Sequence, residues 1–168
     1  RKLGVRFTLE KEPKSLDESR KFVKSLEFIN QKGESQFTAP VDSQGLLMIN
    51  YSGPQQMFEY LSASPLLSRE ADLTVSQQVT DPKTGGRGIA TRRVDRKEFL
   101  KDKILIVGAT SIGVYDLRQT PYEENYPGVE THANVLSNLL TEEARTRGDV
   151  AAFKQPGFLK IHPLEEKV

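Results

Sequence analysis

The chain has 168 residues with 24 basic and 23 acidic side chains, so its formal net charge of +1 does not attract nucleic acid or an acidic membrane. It has no cysteine, which excludes disulfides, thiolate metal sites and cysteine nucleophiles. Its length suits a single domain over 1–168, and its apolar runs are far shorter than the roughly 20 residues of a membrane-spanning helix. Because the chain starts with Arg1, we interpret it as a fragment of a longer protein.

The first part of the chain is predicted to mix strands and a helix. Residues 1–7 suit an edge strand, and the charged residues 8–15 suit a loop. Apolar residues at helical spacing predict an amphipathic helix over 16–29. A short extended piece at 36–41 precedes a turn at 42–45, where Asp, Ser, Gln and Gly favour chain reversal.

The middle of the chain contains a predicted β-hairpin. The run at 46–51 (LLMINY) predicts a strand, and 55–63 predicts a short helix. Two alternating stretches, 71–80 and 87–94, flank a Gly-Gly turn and therefore predict a hairpin with a solvated face. Asp95 is placed to cap a short helix that ends before the next strand.

The most regular part of the chain lies between residues 101 and 140. Four apolar residues at 104–107 (ILIV) predict a strand buried on both faces, and Gly108 ends it. After a loop rich in proline and tyrosine, apolar spacing predicts a helix over 129–140. Strands that alternate with helices indicate an α/β fold with a largely parallel or mixed sheet flanked by helices, into which the hairpin is inserted.

In open α/β sheets, ligands bind beside the carboxyl ends of the strands. The predicted rim contains Thr110 and Ser111 after the central strand, Asp116 in the long loop and His132 in the first turn of the helix. Helical spacing places His132 on the apolar face, where the helix dipole favours a neutral, partly buried imidazole. We predict these four residues to bind a ligand. The alternative is structural: Asp116 satisfies backbone N–H groups, and His132 holds the 110–121 loop.

The sequence gives little support for catalysis or metal binding. The GGRG run at 85–88 lies in a predicted hairpin and lacks the Lys-Ser/Thr pair of a phosphate-binding loop, and no G-x-S-x-G surrounds Ser111. Glu130 and His132 lie two residues apart on a helix and do not face each other, so they do not form a metal site. We expect no catalytic residue, no metal and no cofactor.

Two stretches, together about half of the chain, resemble the second CHASE family of extracellular sensory domains. DSQGLLMINYSGP at 42–54 resembles the family element D-x-x-G-x-x-x-I-N-Y-x-G-P. The second stretch, at 103–140, resembles a longer family pattern. In that pattern a lysine precedes an apolar strand, which is followed by G-A-T, an Asp in a loop, T-P and finally P-G-V-E-x-H-A-N-x-x-x-N-L-L. The matching residues are Lys103, Gly108, Ala109, Thr110, Asp116, Thr120, Pro121, Pro127, Gly128, Val129, Glu130, His132, Ala133, Asn134, Asn138, Leu139 and Leu140.

The resemblance implies a periplasmic or extracellular sensor of a bacterial receptor. Such a domain is tethered to the inner membrane by helices outside this chain, and it regulates a cyclase or a histidine kinase. Its signal is an unidentified small molecule or protein, and we expect a homodimer. Relative to the family pattern, the hairpin at 64–95 is an insertion, and the N-terminal part of the family domain is missing.

Two other classes of function stay open at this point. One is an α/β hydrolase or nucleotide-binding enzyme that uses Ser111, Asp116 and His132, which requires a nucleophile and a base within hydrogen-bond reach. The other is an interaction module without a small ligand, whose contact surface is the hairpin at 64–95.

Overall fold

The computed structural model describes residues 4–11, 21–42, 44–110 and 116–148. Two compact units divide the chain: Arg1–Asn50 with Asn134–Val168, and Tyr51–Ala133. The prediction of a single domain stays a prediction. The regular elements of the described residues are, in chain order, β1 (Gly4–Lys11), β2 (Lys21–Ile29), β3 (Ser35–Pro40), β4 (Tyr60–Leu61), α1 (Ala63–Leu67), β5 (Asp72–Thr80), β6 (Arg87–Asp95), α2 (Arg96–Leu100), β7 (Leu117–Arg118), β8 (Tyr126–Pro127) and α3 (Gly128–Thr146).

The first unit contains an antiparallel sheet in the order β1-β2-β3. The rings of Phe28 and Phe37 stack across β2 and β3 with centroids 4.5 Å apart. Leu26 and Ala39 are buried at the centre of the core of this unit, which also includes Leu139 of α3. Burial of this apolar face therefore holds the sheet and the C-terminal part of α3 together.

The helix predicted over 16–29 is wrong, because residues 21–29 form strand β2 and residues 16–20 lie outside the described part of the chain. The pairing with β1 shifts register by one residue: Thr8 faces Ser25, whereas Leu9 faces Val23. The extra residue, Lys24, is a β-bulge, and it brings Val23 and Leu26 to the same core. Their spacing of three residues imitates the period of a helix.

The second unit is built on the predicted hairpin, which is confirmed. Strands β5 and β6 pair antiparallel from Asp72–Asp95 to Thr80–Arg87, and β4 extends the sheet. The turn is fixed by Asp81, whose carboxylate accepts hydrogen bonds from the main chain of Lys83 at 2.8 Å and from Thr84 Oγ1 at 2.9 Å. The predicted cap of α2 is also confirmed: the Asp95 side chain accepts from Glu98 N at 2.9 Å.

The buried strand predicted at 104–107 is wrong. These residues belong to no strand in the described part of the chain, and their side chains are exposed, from Ile106 at 40% to Val107 at 86%. The run at 46–51 forms no strand beyond an isolated bridge at Ile49, and 55–63 is a turn and a short strand rather than a helix. An apolar run becomes a buried strand only where other strands pair with it, and no described strand does so here.

A mixed α/β composition is confirmed, but the predicted sheet arrangement is not. Every strand pair in the described ranges is antiparallel, so the largely parallel or mixed sheet flanked by helices is not what these residues form. The parallel arrangement depended on the strands at 46–51 and 104–107 and on the helix at 16–29. Antiparallel neighbours need only short turns, and such turns join β2 to β3 and β5 to β6.

The helix predicted at 129–140 is confirmed as α3, which continues to Thr146. Its buried side chains are polar, however: Glu130, Asn134 and Asn138 are 2%, 0% and 5% exposed. This i, i+4, i+8 stripe lies on one face of the helix. The side of α3 that is most deeply buried therefore carries hydrogen-bonding groups, and these groups organise the candidate site.

Candidate functional site

Glu130 is a buried carboxylate in the first turn of α3, and its hydrogen bonds hold a segment distant in sequence. Its Oε2 accepts from Gln56 N at 2.9 Å and from the Tyr60 hydroxyl at 2.6 Å, and its Oε1 accepts from Met57 N at 3.1 Å. A negative charge is favoured at a helix N-terminus. We call these four residues the Glu130 cluster.

The 55–57 turn that Glu130 holds is also fixed to strand β5. Gln78 N donates to the carbonyl of Gln56 at 2.7 Å, and Gln77 Nε2 donates to the carbonyl of Met57 at 2.7 Å. Gln56 has a φ of 65°, a left-handed conformation that side-chain-bearing residues rarely adopt. The surrounding hydrogen bonds therefore impose a backbone conformation that the local sequence does not favour.

Burial raises the pKa of the Tyr60 phenol well above its ordinary value of 10.0, and the hydrogen bond to the Glu130 carboxylate raises it further. The folded state therefore holds this proton to a higher pH than the unfolded chain does. The raised pKa of Tyr60 stabilises the folded state. This stabilisation is complete below about pH 10 and is lost progressively as the pH rises above that value, because unfolding then releases the proton.

Replacing Tyr60 with Phe should make the stability of the chain less sensitive to alkali. Above about pH 10, the free energy of unfolding should fall less steeply in Tyr60→Phe than in the wild type. The difference is at most about 1.4 kcal/mol per pH unit, and solvent screening of the partly exposed ring reduces it.

The measurement is the melting temperature from about pH 9 to 11.5. Tyr122→Phe, at a 52% exposed ring, is the control and should follow the wild type. If the melting temperatures of the wild type and Tyr60→Phe fall equally steeply with pH, the raised pKa of Tyr60 is contradicted.

Asn138 forms a second link between distant parts of the chain, inside the first unit. Its Oδ1 accepts from Asn50 N and its Nδ2 donates to the carbonyl of Asn50, both at 3.0 Å. Asn138 and Asn50 come from the two different stretches that carry the family resemblance. Glu130, from the second stretch, likewise binds the turn that follows the first. Much of the motif therefore serves to join these segments by side-chain hydrogen bonds to main chain.

Lys103 directly precedes the apolar run at 104–107, and its contacts show a structural role. Its ammonium donates to Glu59 Oε2 at 3.4 Å and lies 5.3 Å from the centre of the Phe99 ring. Arg92 also binds the Glu59 carboxylate and contacts the same ring. The hydrogen bond from Arg92, followed by the charge of Lys103, lowers the pKa of Glu59 below its ordinary value. The group ties β6 and α2 to the segment that precedes β4.

No hydrogen bond or ion pair joins Thr110, Asp116 and His132, the three described residues among the four predicted to bind a ligand. Ser111 lies outside the described residues, and Thr110 is exposed. Asp116 pairs with Arg118 at 3.2 Å. His132 is exposed, and its imidazole has no hydrogen-bond partner among the described residues. The prediction that this histidine is partly buried is therefore wrong. The physical reason is the polar stripe of α3: His132 lies about 200° from Glu130, on the opposite side. Ligand binding by these four residues remains a prediction.

Asp116 packs against the start of α3. Its carbonyl accepts from Gly128 N at 2.8 Å, and its carboxylate lies where a side chain at position 128 would lie: a Cβ there would be 2.2–2.4 Å from the three carboxyl atoms. Gly108 is in similarly close contact with α3, because its Cβ would be 2.6 Å from that of Val129. Both glycines of the motif permit close approach of the loop to the helix.

A cleft of about 360 Å³ lies in the second unit beside the 55–57 turn. Its lining includes Gln56, Arg87, Ile89 and Glu123. Among the described residues, no three His, Asp or Glu side chains come together in a group that could hold a metal ion. Charged, polar and apolar residues therefore all line this cleft.

The cluster and the cleft were not predicted from the sequence. In the sequence, Glu130 stands out only through its E-x-H spacing to His132, whereas its partners are main-chain N–H groups about 70 positions earlier. One signal was available: an acid at the start of a helix, following Pro-Gly, is placed to bind N–H groups. No local signal pointed to Gln56, because its conformation is imposed by contacts with other segments.

The buried Glu130 carboxylate holds a distant segment of main chain in place by accepting hydrogen bonds, which is a structural role. A family model for the CHASE2 domain matches residues 3–160. The chain therefore belongs to the CHASE2 family, whose members are extracellular sensory domains of bacterial receptors, and the resemblance seen in the sequence is confirmed.

No curated protein and no solved structure matches the chain significantly. Within the described ranges, no helix combines the length and the apolar character needed to span a bilayer.

Proposed function

We propose that this chain is the extracytoplasmic signal-sensing domain of a bacterial transmembrane receptor that regulates a cyclase or kinase output. The observation that carries the proposal is membership of the CHASE2 family over residues 3–160. The signal is a small molecule or a protein. Flanking membrane helices tether the domain, and a homodimer transmits the change to the output domain.

The Glu130 cluster supports this proposal mechanically. Regulation requires a few kcal/mol of differential affinity between two conformations of the domain. The 55–57 turn is bound to the first turn of α3 through two main-chain hydrogen bonds to one carboxylate. A signal that displaces the turn therefore changes the environment of the helix start, and a change at the helix start is passed back to the turn.

A second candidate is an interaction module that contacts a protein through the hairpin. Apart from Val94, the residues of β6 are exposed, which supports a contact surface there. Replacing the exposed Arg93 of β6 with Glu should then weaken partner binding and leave small-molecule binding elsewhere in the chain intact. The enzyme alternative lacks comparable support, since Asp116 pairs with Arg118 and His132 has no side-chain partner among the described residues.

The location of the domain can be tested by labelling, because the chain has no cysteine of its own. We expect Lys83→Cys, at the exposed turn of the hairpin, to react with a membrane-impermeant maleimide in intact cells that express the full-length receptor. The unsubstituted receptor is the control for cysteines elsewhere in the protein. Labelling that requires lysis of the inner membrane would place the domain in the cytoplasm and refute the proposal.

The regulatory part of the proposal has its own measurement. Cyclic-nucleotide production or autophosphorylation is compared between the full-length receptor and a form from which residues 3–160 are deleted. A regulatory domain changes the rate of the output reaction when it is removed. An unchanged rate, with and without candidate signals, would contradict regulation.

A further inference from the structure

The cleft beside the 55–57 turn contains opposite charges that are not paired with each other. Glu123 accepts a long hydrogen bond from Gln55 N at 3.4 Å through Oε2. The Arg87 guanidinium forms no ion pair with any residue in the described ranges. A cation and an anion that line one cleft of about 360 Å³ without a salt bridge leave both charges available to a ligand.

Gln56, which also lines the cleft, has a side-chain oxygen that is closed to solvent. Gln56 Oε1 has no hydrogen-bond partner among the described residues. A buried carbonyl oxygen without a donor costs free energy, and such groups in native proteins call for a specific explanation. Its main chain is fixed on both sides, by Glu130 and by Gln78, so the side chain is presented from a rigid position. This oxygen has almost no accessible surface, so Gln56 forms part of the wall of the cleft and the charged contacts to a ligand come from the other residues.

We infer that this cleft binds a small zwitterion of the α-amino-acid class. The ligand carboxylate pairs with the Arg87 guanidinium, which suits planar, bidentate recognition. The ligand ammonium donates hydrogen bonds to the Glu123 carboxylate. Ile89, which also lines the cleft, provides an apolar contact for the ligand's side chain. The cleft is at the small end of the range for ligand sites, roughly 300–1,000 Å³, which suits a molecule of this size.

Binding in the cleft stands on these contacts alone, whereas its use as the signal rests on the proposed sensor function. An amino acid that occupies the cleft contacts Gln56, whose N–H binds Glu130 at 2.9 Å. Occupancy therefore acts on the same turn that is connected to α3. This site is distinct from the rim predicted around Thr110, Asp116 and His132, so variants of the two sites separate the two hypotheses.

The test is calorimetric titration of the purified 168-residue chain with each of the common amino acids in turn. For an amino acid that binds, three analogues follow: the same acid without its amino group, the amine without its carboxylate, and the N-trimethyl derivative. We expect all three to bind at least about tenfold more weakly, because each lacks a charge or the N–H donor. An amino acid that binds no better than its trimethyl derivative would overturn the hydrogen bonds from the ammonium to Glu123.

Matched variants locate the site. Arg87→Gln and Glu123→Gln should each weaken binding by about tenfold or more, as loss of a charge-assisted hydrogen bond predicts. Arg93→Gln on the same strand and Glu124→Gln next to Glu123 are the controls, and both side chains are exposed. His132→Ala tests the predicted rim and should leave the affinity unchanged.

The outcomes separate the inference from the proposed function. If no amino acid binds, or if the binding is insensitive to Arg87→Gln and Glu123→Gln, the inference is refuted while the labelling and output measurements still decide the sensor function. If binding follows the cleft variants but the amino acid leaves the receptor's output unchanged, the site is confirmed and its role as the signal is refuted.

Discussion

Glu130→Gln should lower the melting temperature of the chain by roughly 5–15 °C, at about 2–4 °C for each kcal/mol. The carboxylate accepts from Gln56 N, Met57 N and the Tyr60 hydroxyl. A glutamine has one acceptor oxygen where the carboxylate has two, so in either orientation its NH₂ group faces a main-chain N–H. A buried donor left without an acceptor costs about 1–3 kcal/mol, and the loss of charge-assisted hydrogen bonds adds to this.

The measurement is thermal unfolding at neutral pH, and its control is Glu124→Gln, an exposed glutamate on the same unit. If the two variants melt at the same temperature, the cluster does not hold the 55–57 turn. A double-mutant cycle with Tyr60→Phe refines the result. Because Tyr60 and Glu130 are in direct contact, we expect the two costs to be non-additive by about 0.5–3 kcal/mol.

Gly128→Ala should destabilise the chain by about 1–3 kcal/mol, the usual cost of placing an extra carbon in an occupied space. A Cβ at this position would lie 2.2–2.4 Å from the Asp116 carboxyl atoms. Asp116 has limited freedom to withdraw, because its carbonyl accepts from Gly128 N and its carboxylate pairs with Arg118. Gly88→Ala is the control, since no atom lies within 4 Å of a Cβ there.

The cause of the destabilisation can be isolated by removing the atoms that clash. In an Asp116→Ala background, the carboxyl group is absent, and Gly128→Ala should become neutral or stabilising, as replacing a helical glycine by alanine usually is. Unfolding in denaturant measures both effects. A cost of Gly128→Ala that is equal in the two backgrounds would mean that Asp116 does not fill this space. The helix start would then be sensitive to the substitution for another reason.

Elements that depend on neighbouring residues were predictable from the sequence. The hairpin follows from two alternating stretches and a Gly-Gly turn, and α3 follows from helical spacing after Pro-Gly. The cap at Asp95 is equally local, since its acceptor and donor are three residues apart. In each case the residues that form the element also carry its signal.

Elements that depend on distant residues were not predictable in the same way. The bulge at Lys24 exists because β1 pairs with β2. It places two apolar residues of a strand three positions apart on the same face, which is the spacing of a helix. Likewise, spacing along α3 identifies an apolar face but does not reveal that Glu130 finds three donors in another segment. The candidate site is formed by such long-range hydrogen bonds, so its residues lacked a local pattern.

The exposed run at 104–107 also bears on self-association of the protein. Four apolar residues without a proline, in contact with water and outside any described strand, are typical of segments that pair between molecules and start aggregation. Charged residues beside such a segment oppose this pairing, and Lys101, Asp102 and Lys103 lie directly before it. We expect this charged triplet to oppose self-association through the apolar run in concentrated preparations of the chain.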